Sequence, residues 1–308
     1  MMNTTANTTS NFPGGAAMLA GQEIARIGFG AMQLPGPGVW GPPSDRTKAL
    51  TVLRRAVEWG INHIDTAQFY GNGVSNELIH AALHPYPANL VLVSKVGAAR
   101  DEQGSWIPAQ HPRQLRASVE ANLRTLAVEQ INVVNLRIMD AAHDGSPIPD
   151  EQRVSLDDQL AEMQALRDEG KIGGIGLSNA TLGQLQKALP AEIVCVQNAY
   201  SLLDRSAEPL LDLCREHAIA WVPFFPLGSA FPHMPKVTEH PYVIETASKL
   251  EKTPAQVGLA WLLAHAPNIL LIPGTSNLDH LAENIAAGEV KLDAEAMNAL
   301  DGLANKMG

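Results

Sequence analysis

Short runs rich in valine, isoleucine and leucine recur along the chain, each followed by a longer segment in which apolar positions return every three or four residues. The runs are INHID, LVLVSK, INVVNL, IGGIGLS, IVCVQ, IAWVPFF and ILLIPG. Their apolar residues are consecutive rather than alternating, as expected of parallel strands covered on both faces. The intervening segments have the helical period: Leu50, Leu53 and Val57 fall on one stripe, as do Leu115, Val119 and Leu123, and Leu156, Leu160 and Met163. Helix-start signals accompany them, with Ser44-Asp45 and Ser155 near N-cap positions and Pro112 and Pro254 near first turns.

Taking GQEIARIGFG as the first strand gives eight strand-helix units, the number that closes a parallel barrel. The fold class predicted is therefore α/β, a single (β/α)8 TIM barrel spanning residues 21–308, preceded by a flexible polar tail over residues 1–20. A doubly wound sheet is the alternative, but GFGAMQ is one glycine short of the dinucleotide fingerprint and leads into a Pro/Gly-rich loop instead of a helix.

Composition narrows the function. With 45% hydrophobic and 18% charged residues the chain reads as a globular enzyme or binding protein, and its net charge of −10 without a basic cluster disfavours nucleic acid and anionic membranes. No signal peptide or 18-residue apolar window is visible, and the sequons at Asn3 and Asn7 read as accidental. Cys195 and Cys214 sit in apolar surroundings and read as buried thiols of a cytoplasmic protein. The ten histidines lack ligand spacing, so no metal is expected, and no obligate protein partner is evident.

Polar residues collect where the strands end, the catalytic face of such a barrel. Asp65 and Tyr70 follow the second run, Lys95 ends the third, Arg137 the fourth, Ser178-Asn179 the fifth, Gln197-Asn198 the sixth and Phe224 the seventh. Each taken singly is an ordinary cap or snorkelling residue; seven together point to a site. DTAQFYG, the lysine of VLVSKVG, GIGLSN, VQNAYS and IPGTSNLDHLAEN, in this order and spacing, resemble the aldo-keto reductase superfamily from about Gly21 onward, and GAMQLPGPGVWGPPSDR, VNLR and VPFFPLG look most like its bacterial pyridoxal reductase branch.

The resemblance implies reduction of an aldehyde or ketone to an alcohol by hydride from NADPH, with NADH as the second choice. Tyr70 would supply the proton, Lys95 would lower the phenol pKa, and Asp65 would hold the lysine. Arg137 stands where the superfamily usually has histidine, in LRIMD; a guanidinium cannot shuttle protons, but it can donate to the carbonyl oxygen and favour substrates with an anionic group beside the carbonyl. His143 in the following loop is expected in solvent. Also by resemblance, Gly30 and Ala31 would bind the cofactor, Ser178, Asn179, Gln197 and Phe224 would meet its nicotinamide end, Leu227, Gly228 and Ser229 its pyrophosphate, and Gly274, Thr275, Ser276, His280 and Asn284 the 2′-phosphate. Trp40, Phe69 and Trp106 would wall a pocket for a small aldehyde, while Trp59 and Trp261 are expected in the core. Two rivals remain at this point: a nicotinamide-binding, redox-sensing subunit with little turnover, and a barrel aldolase using Lys95 as a Schiff base.

Overall fold

The structure is a computed structural model describing residues 12–140, 147–228 and 235–303; most of the expected tail, both sequons, His143 and Ser229 lie outside the described residues. Seven parallel strands follow one another in space in chain order. They are β1 (Phe29–Gly30), β2 (His63–Asp65), β3 (Val91–Arg100), β4 (Ile131–Arg137), β5 (Ile172–Ser178), β6 (Ile193–Gln197) and β7 (Ala220–Trp221). The eighth run closes the circle through single bridges, Trp221 to Ile269 and Ile27 to Leu271. Four backbone bonds make the seam: Trp221 to Asn268 O, Leu270 to Trp221 O, Leu271 to Arg26 O and Gly28 to Leu271 O, all at 2.7–2.8 Å. Closure leaves the sheet without an exposed edge.

The helices start where their caps were expected. Asp45 accepts from Lys48 N, Ser155 accepts from Asp158 N, and Pro112 and Pro254 open their helices. Trp261 is fully buried, but Trp59 is a correction: it is the C-cap of the Arg46–Glu58 helix and 40% exposed, beyond the reach of the helix's apolar face.

The first strand differs from expectation. Gln22–Ala25 belongs to an antiparallel hairpin with Ala16–Leu19, so only the second half of GQEIARIGFG, residues 26–30, joins the barrel, and the expected tail over 1–20 gives way to strand by Ala16. Ala20 and Gly21, at φ +48° and +77°, form the two-residue turn of left-handed residues that suits a hairpin. Leu19 and Ile24 pack with Val91, Val93, Val133 and Cys195, so the hairpin plugs the amino end of the barrel. Gly176 makes room just above the plug, since a Cβ there would lie 2.0 Å from Asn135 Oδ1.

Register sets the height of the polar residues at the other end. Asp65 pairs with Val93, Val93 with Val133, Lys95 with Asn135, Arg137 with Ser178 and Ser178 with Gln197. Residues two apart in a strand share a face, so the stagger of the barrel brings Asp65, Lys95, Arg137, Ser178 and Gln197 to one inward-facing tier.

Candidate active site

Asp65 and Lys95 form an ion pair with almost no solvent contact, and Lys95 Nζ also donates to Thr66 O at 3.2 Å. Gln197 Nε2 donates to the second carboxylate oxygen, Asp65 Oδ2, at 2.6 Å. Asp65 is thus held from two sides, by an ammonium and an amide. An intact pair of this kind tolerates burial only because each charge is answered by the other and by hydrogen bonds.

Tyr70 is buried, with Lys95 Nζ 5.0 Å from its ring centroid. Burial pushes the Tyr70 phenol above the ordinary tyrosine range; the neighbouring Lys95 ammonium pulls against this, Asp65 adds to it, and Arg137 pulls weakly down. The expected lowering by Lys95 is present, but the dry pocket outweighs it, so the net direction is a correction. Tyr70 keeps its proton at neutral pH. Burial by itself would lower Lys95, yet Asp65 and Tyr70 together leave it above its ordinary value and charged.

Arg137 lies alongside. Its Nη1 donates to Ser178 Oγ at 3.3 Å, its Cζ is 5.8 Å from the Phe224 ring centroid, and its buried Nε has no partner. None of these contacts is anionic. Burial lowers its pKa from the ordinary arginine value, with Tyr70 opposing, but a guanidinium starts high enough to remain a cation. The close approach of β3 to β4 here requires Gly97, at φ +98°, where a Cβ would lie 2.3 Å from Arg137 O.

Around this tier the expected cofactor residues divide. Gln197 Oε1 is buried without a partner, an acceptor suited to a carboxamide NH2. Asn179, at φ +60°, spends its Nδ2 on Ile138 O at 3.1 Å. Phe224 is half-buried and packs edge-on against Phe225, with centroids 5.2 Å apart. Gly30 and Gly274 touch backbone to backbone, since a Cβ on Gly274 would lie 2.4 Å from Gly30 O, and Ala31 is fully buried beside them.

The phosphate-binding expectations meet competing bonds. Gly228 N, expected to face a pyrophosphate, donates to Phe225 O at 2.9 Å, and Leu227 O accepts from Val237 N. Beyond the eighth strand Thr275 Oγ1 accepts from Asn277 N at 3.0 Å, and Asn277 Oδ1 caps the Leu278–Ala286 helix at Asp279 N and His280 N. Gly274, Ser276 and His280 are exposed beside this cap, while Thr275 and Asn284 are buried. The donors that this loop offers an anion are therefore the hydroxyls and the His280 ring rather than first-turn amides.

Of the residues expected to wall a pocket, Phe69 and Trp106 come together with Tyr70. Phe69, Tyr70 and Trp106 meet edge-on, with centroids 5.4 Å (Phe69–Tyr70), 5.0 Å (Phe69–Trp106) and 6.3 Å (Tyr70–Trp106) apart, and Ala98 and Met139 complete the apolar cluster. Trp40 sits at the rim, 36% exposed.

Two supports were not foreseen. Thr66 and Ser94, the neighbours of Asp65 and Lys95, bond into a buried relay: Thr66 Oγ1 donates to Asn76 Oδ1, Asn76 Nδ2 to Asn122 Oδ1, and Ser94 Oγ to the same Asn122 oxygen, at 2.6–2.8 Å. Arg100 ties three loops at the barrel mouth. In sequence these are unremarkable polar residues on helices and a strand end; nothing in their spacing announces the contacts.

The assembly defines a barrel enzyme with a buried acid, ammonium and phenol at the carboxyl ends of its strands. Residues 26–305 match the model of the aldo/keto reductase family. The chain belongs to that family and is an oxidoreductase. It is 46% identical to a pyridoxine 4-dehydrogenase of Escherichia coli over 94% of this chain and 98% of that protein, and 35% identical to an uncharacterised oxidoreductase of Schizosaccharomyces pombe over 93% and 89%. Among solved structures it resembles a thermostable aldo-keto reductase in complex with the inhibitor epalrestat, with TM-score 0.77 and 29% identity over 94% of this chain and 99% of that one. An aldo/keto reductase of Klebsiella pneumoniae in complex with NADP and acetate has TM-score 0.75 and 26% identity over 92% of each chain. Among the described residues no helix is long and apolar enough to cross a membrane.

Proposed function

We propose that the protein reduces small aldehydes to alcohols with NADPH, and that pyridoxal-like aldehydes, bearing an ionisable oxygen beside the carbonyl, are its preferred substrates. The buried Asp65–Lys95 pair against the Tyr70 hydroxyl carries this reading. NADPH supplies the hydride. Tyr70, protonated at neutral pH, donates its proton to the carbonyl oxygen as negative charge gathers there. Lys95 stabilises the phenolate left behind, and Asp65 holds the ammonium in place. Gln197 orients Asp65 through Nε2 and offers Oε1 to the carboxamide. Ser178 and Asn179 would also meet that group, and the Phe224 face would suit stacking on the ring.

Arg137 takes the place of a neutral donor with a permanent charge. Among the described residues its contacts include no carboxylate, so an anionic substrate group would answer its charge. The NADP named in the Klebsiella complex and the vitamin named in the E. coli relative support the cofactor and the substrate respectively.

The amine-nucleophile reading is disfavoured by the same pair, because a Schiff-base lysine needs a depressed pKa whereas Lys95 is held above its ordinary value. The test is NADPH oxidation, followed by absorbance, with pyridoxal and with uncharged aryl aldehydes. Arg137→Met is expected to raise KM for pyridoxal more than for the uncharged aldehydes. Equal effects would remove the substrate assignment, and absence of turnover with every aldehyde would favour a sensing subunit.

A further inference from the structure

Arg100 lies at the end of β3, opposite Trp106 in an antiparallel hairpin that rises over the barrel mouth. Its guanidinium spreads over three segments. Nε donates to Phe69 O at 3.2 Å, Nη1 to Gly104 O at 2.6 Å, and Nη2 to Gly38 O at 3.3 Å and Val39 O at 3.1 Å. Every one of these partners is a backbone carbonyl, so this arginine's fork ties chain to chain. The guanidinium also stacks 4.0 Å from the Trp106 ring centroid and lies 5.9 Å from that of Trp40.

The loop it holds is compact and uphill. Gly36 N donates to Gly41 O and Trp40 N to Gly36 O, so residues 36–41 close on themselves. Val39 sits at φ +59°, a left-handed conformation that a β-branched side chain strongly disfavours, directly after Gly38 at φ +69°. The carbonyls of these two residues are the ones that Arg100 Nη2 engages. Trp40, next in the chain, lies flat against the hairpin tip: a Cβ on Gly104 would fall 3.0 Å from Trp40 Cδ2. The loop also borders a cavity of about 350 Å³ lined by Met32, Leu34, Val39, Pro43 and Ser276. It is therefore braced by Arg100 and has open space beside it.

We infer that Arg100 is a specificity-determining positioning residue, which latches the 36–41 loop so that Trp40 roofs the pocket walled by Phe69 and Trp106, and that this roof selects flat aromatic aldehydes over small aliphatic ones. The inference rests on the carbonyl-reductase reading above. Releasing the latch lets the loop relax toward the cavity and removes one face of an aromatic slot, leaving Tyr70, Lys95 and Asp65 in place.

The test compares benzaldehyde with propanal in steady state, using Arg100→Met, Arg100→Lys and Trp40→Ala. Arg100→Met is expected to lower kcat/KM for benzaldehyde about tenfold, mostly through KM, with propanal changed by less than about twofold, the scale of one lost aromatic contact. Arg100→Lys should behave like Arg100→Met, because one ammonium cannot span three segments. Trp40→Ala should lower the benzaldehyde preference in the wild type and add little in the Arg100→Met background. Equal losses for both aldehydes, or additive effects of the two substitutions, would overturn the inference. A far-ultraviolet circular dichroism spectrum and urea midpoint like those of the wild type verify folding. If Arg100→Met does not fold, Trp40→Ala alone decides, and an unchanged benzaldehyde preference refutes the roof. A wild-type protein that turns over neither aldehyde would instead count against the reductase reading itself.

Discussion

Replacing Lys95 with methionine removes the ammonium and leaves the Asp65 carboxylate with Gln197 as its remaining side-chain partner. Two consequences must be separated. Activity falls because Tyr70 loses the charge that stabilises its phenolate. Two unit charges roughly 4 Å apart at an effective dielectric of about 20 attract by about 4 kcal/mol, and half-developed phenolate charge would lose about half of that. The expected fall in kcat is therefore roughly 30-fold, and about 1,000-fold would correspond to fully developed phenolate charge. Stability falls separately, by about 3–5 kcal/mol, because breaking a buried ion pair strands the partner.

Combining D65N with K95M distinguishes them. The double variant has no stranded charge, so urea denaturation should show most of the stability restored, while kcat with NADPH and a saturating aldehyde should stay low. If the double variant returned to within about fivefold of the parent kcat, well inside the expected loss, Lys95 would be a structural counter-ion and the proton-delivery argument would fail.

Two further outcomes test the frame around the site. His63 is buried in the barrel with neither ring nitrogen in a regular hydrogen bond, and burial lowers its pKa to about 4, with a weak backbone contact to Ala25 opposing. The folded state thus binds fewer protons than the unfolded one between pH 6.5 and 4; this contribution is complete above pH 6.5 and is lost as pH falls toward 4, by roughly 3 kcal/mol. His63→Met should flatten the stability profile over that window, and parallel profiles would contradict the assignment. Gly97→Ala combines a left-handed φ with a Cβ 2.3 Å from Arg137 O. It should cost about 3 kcal/mol or more in urea unfolding and raise KM for pyridoxal; a cost under about 1 kcal/mol would mean that β3 and β4 can separate freely.

Strand ends were readable because a parallel barrel writes its strands as unbroken apolar runs, and polar residues that stop such runs stand out. Asp65, Lys95, Ser178 and Gln197 were placed by that rule alone. The first strand was misplaced because Ile24, Ile27 and Phe29 look like one apolar series, and Ala20-Gly21 lacks the Asn-Gly or Asp-Gly signature of a hairpin turn. The eighth strand was legible as a run, although only backbone bridges mark it in the structure. Arg100 was invisible for a different reason: its partners are carbonyls, which every residue carries, so no side-chain pattern can announce them. The engagement of Gln197 with Asp65 was hidden likewise, because an amide suited to a carboxamide is equally suited to a carboxylate.

In the proposed mechanism Arg137, standing where the resemblance places a histidine, changes what the site offers a carbonyl oxygen. Lys95, Arg137 and Arg100 all act on the Tyr70 hydroxyl, with Asp65 as the anion among them. Lys95 and Asp65 answer each other, so the Arg137 charge is left over, and a neutral aldehyde does not meet it. Hydride transfer would gather negative charge on the carbonyl oxygen and leave the nicotinamide positive, so the total is unchanged and what is new is an oxyanion facing the guanidinium. A neutral histidine would instead leave Lys95 and Asp65 balanced beforehand, with only dipoles to meet the developing oxyanion. For an uncharged aldehyde Arg137 therefore meets its counter-charge only as the transition state forms, whereas an anionic substrate group would meet it already on binding and lower KM instead.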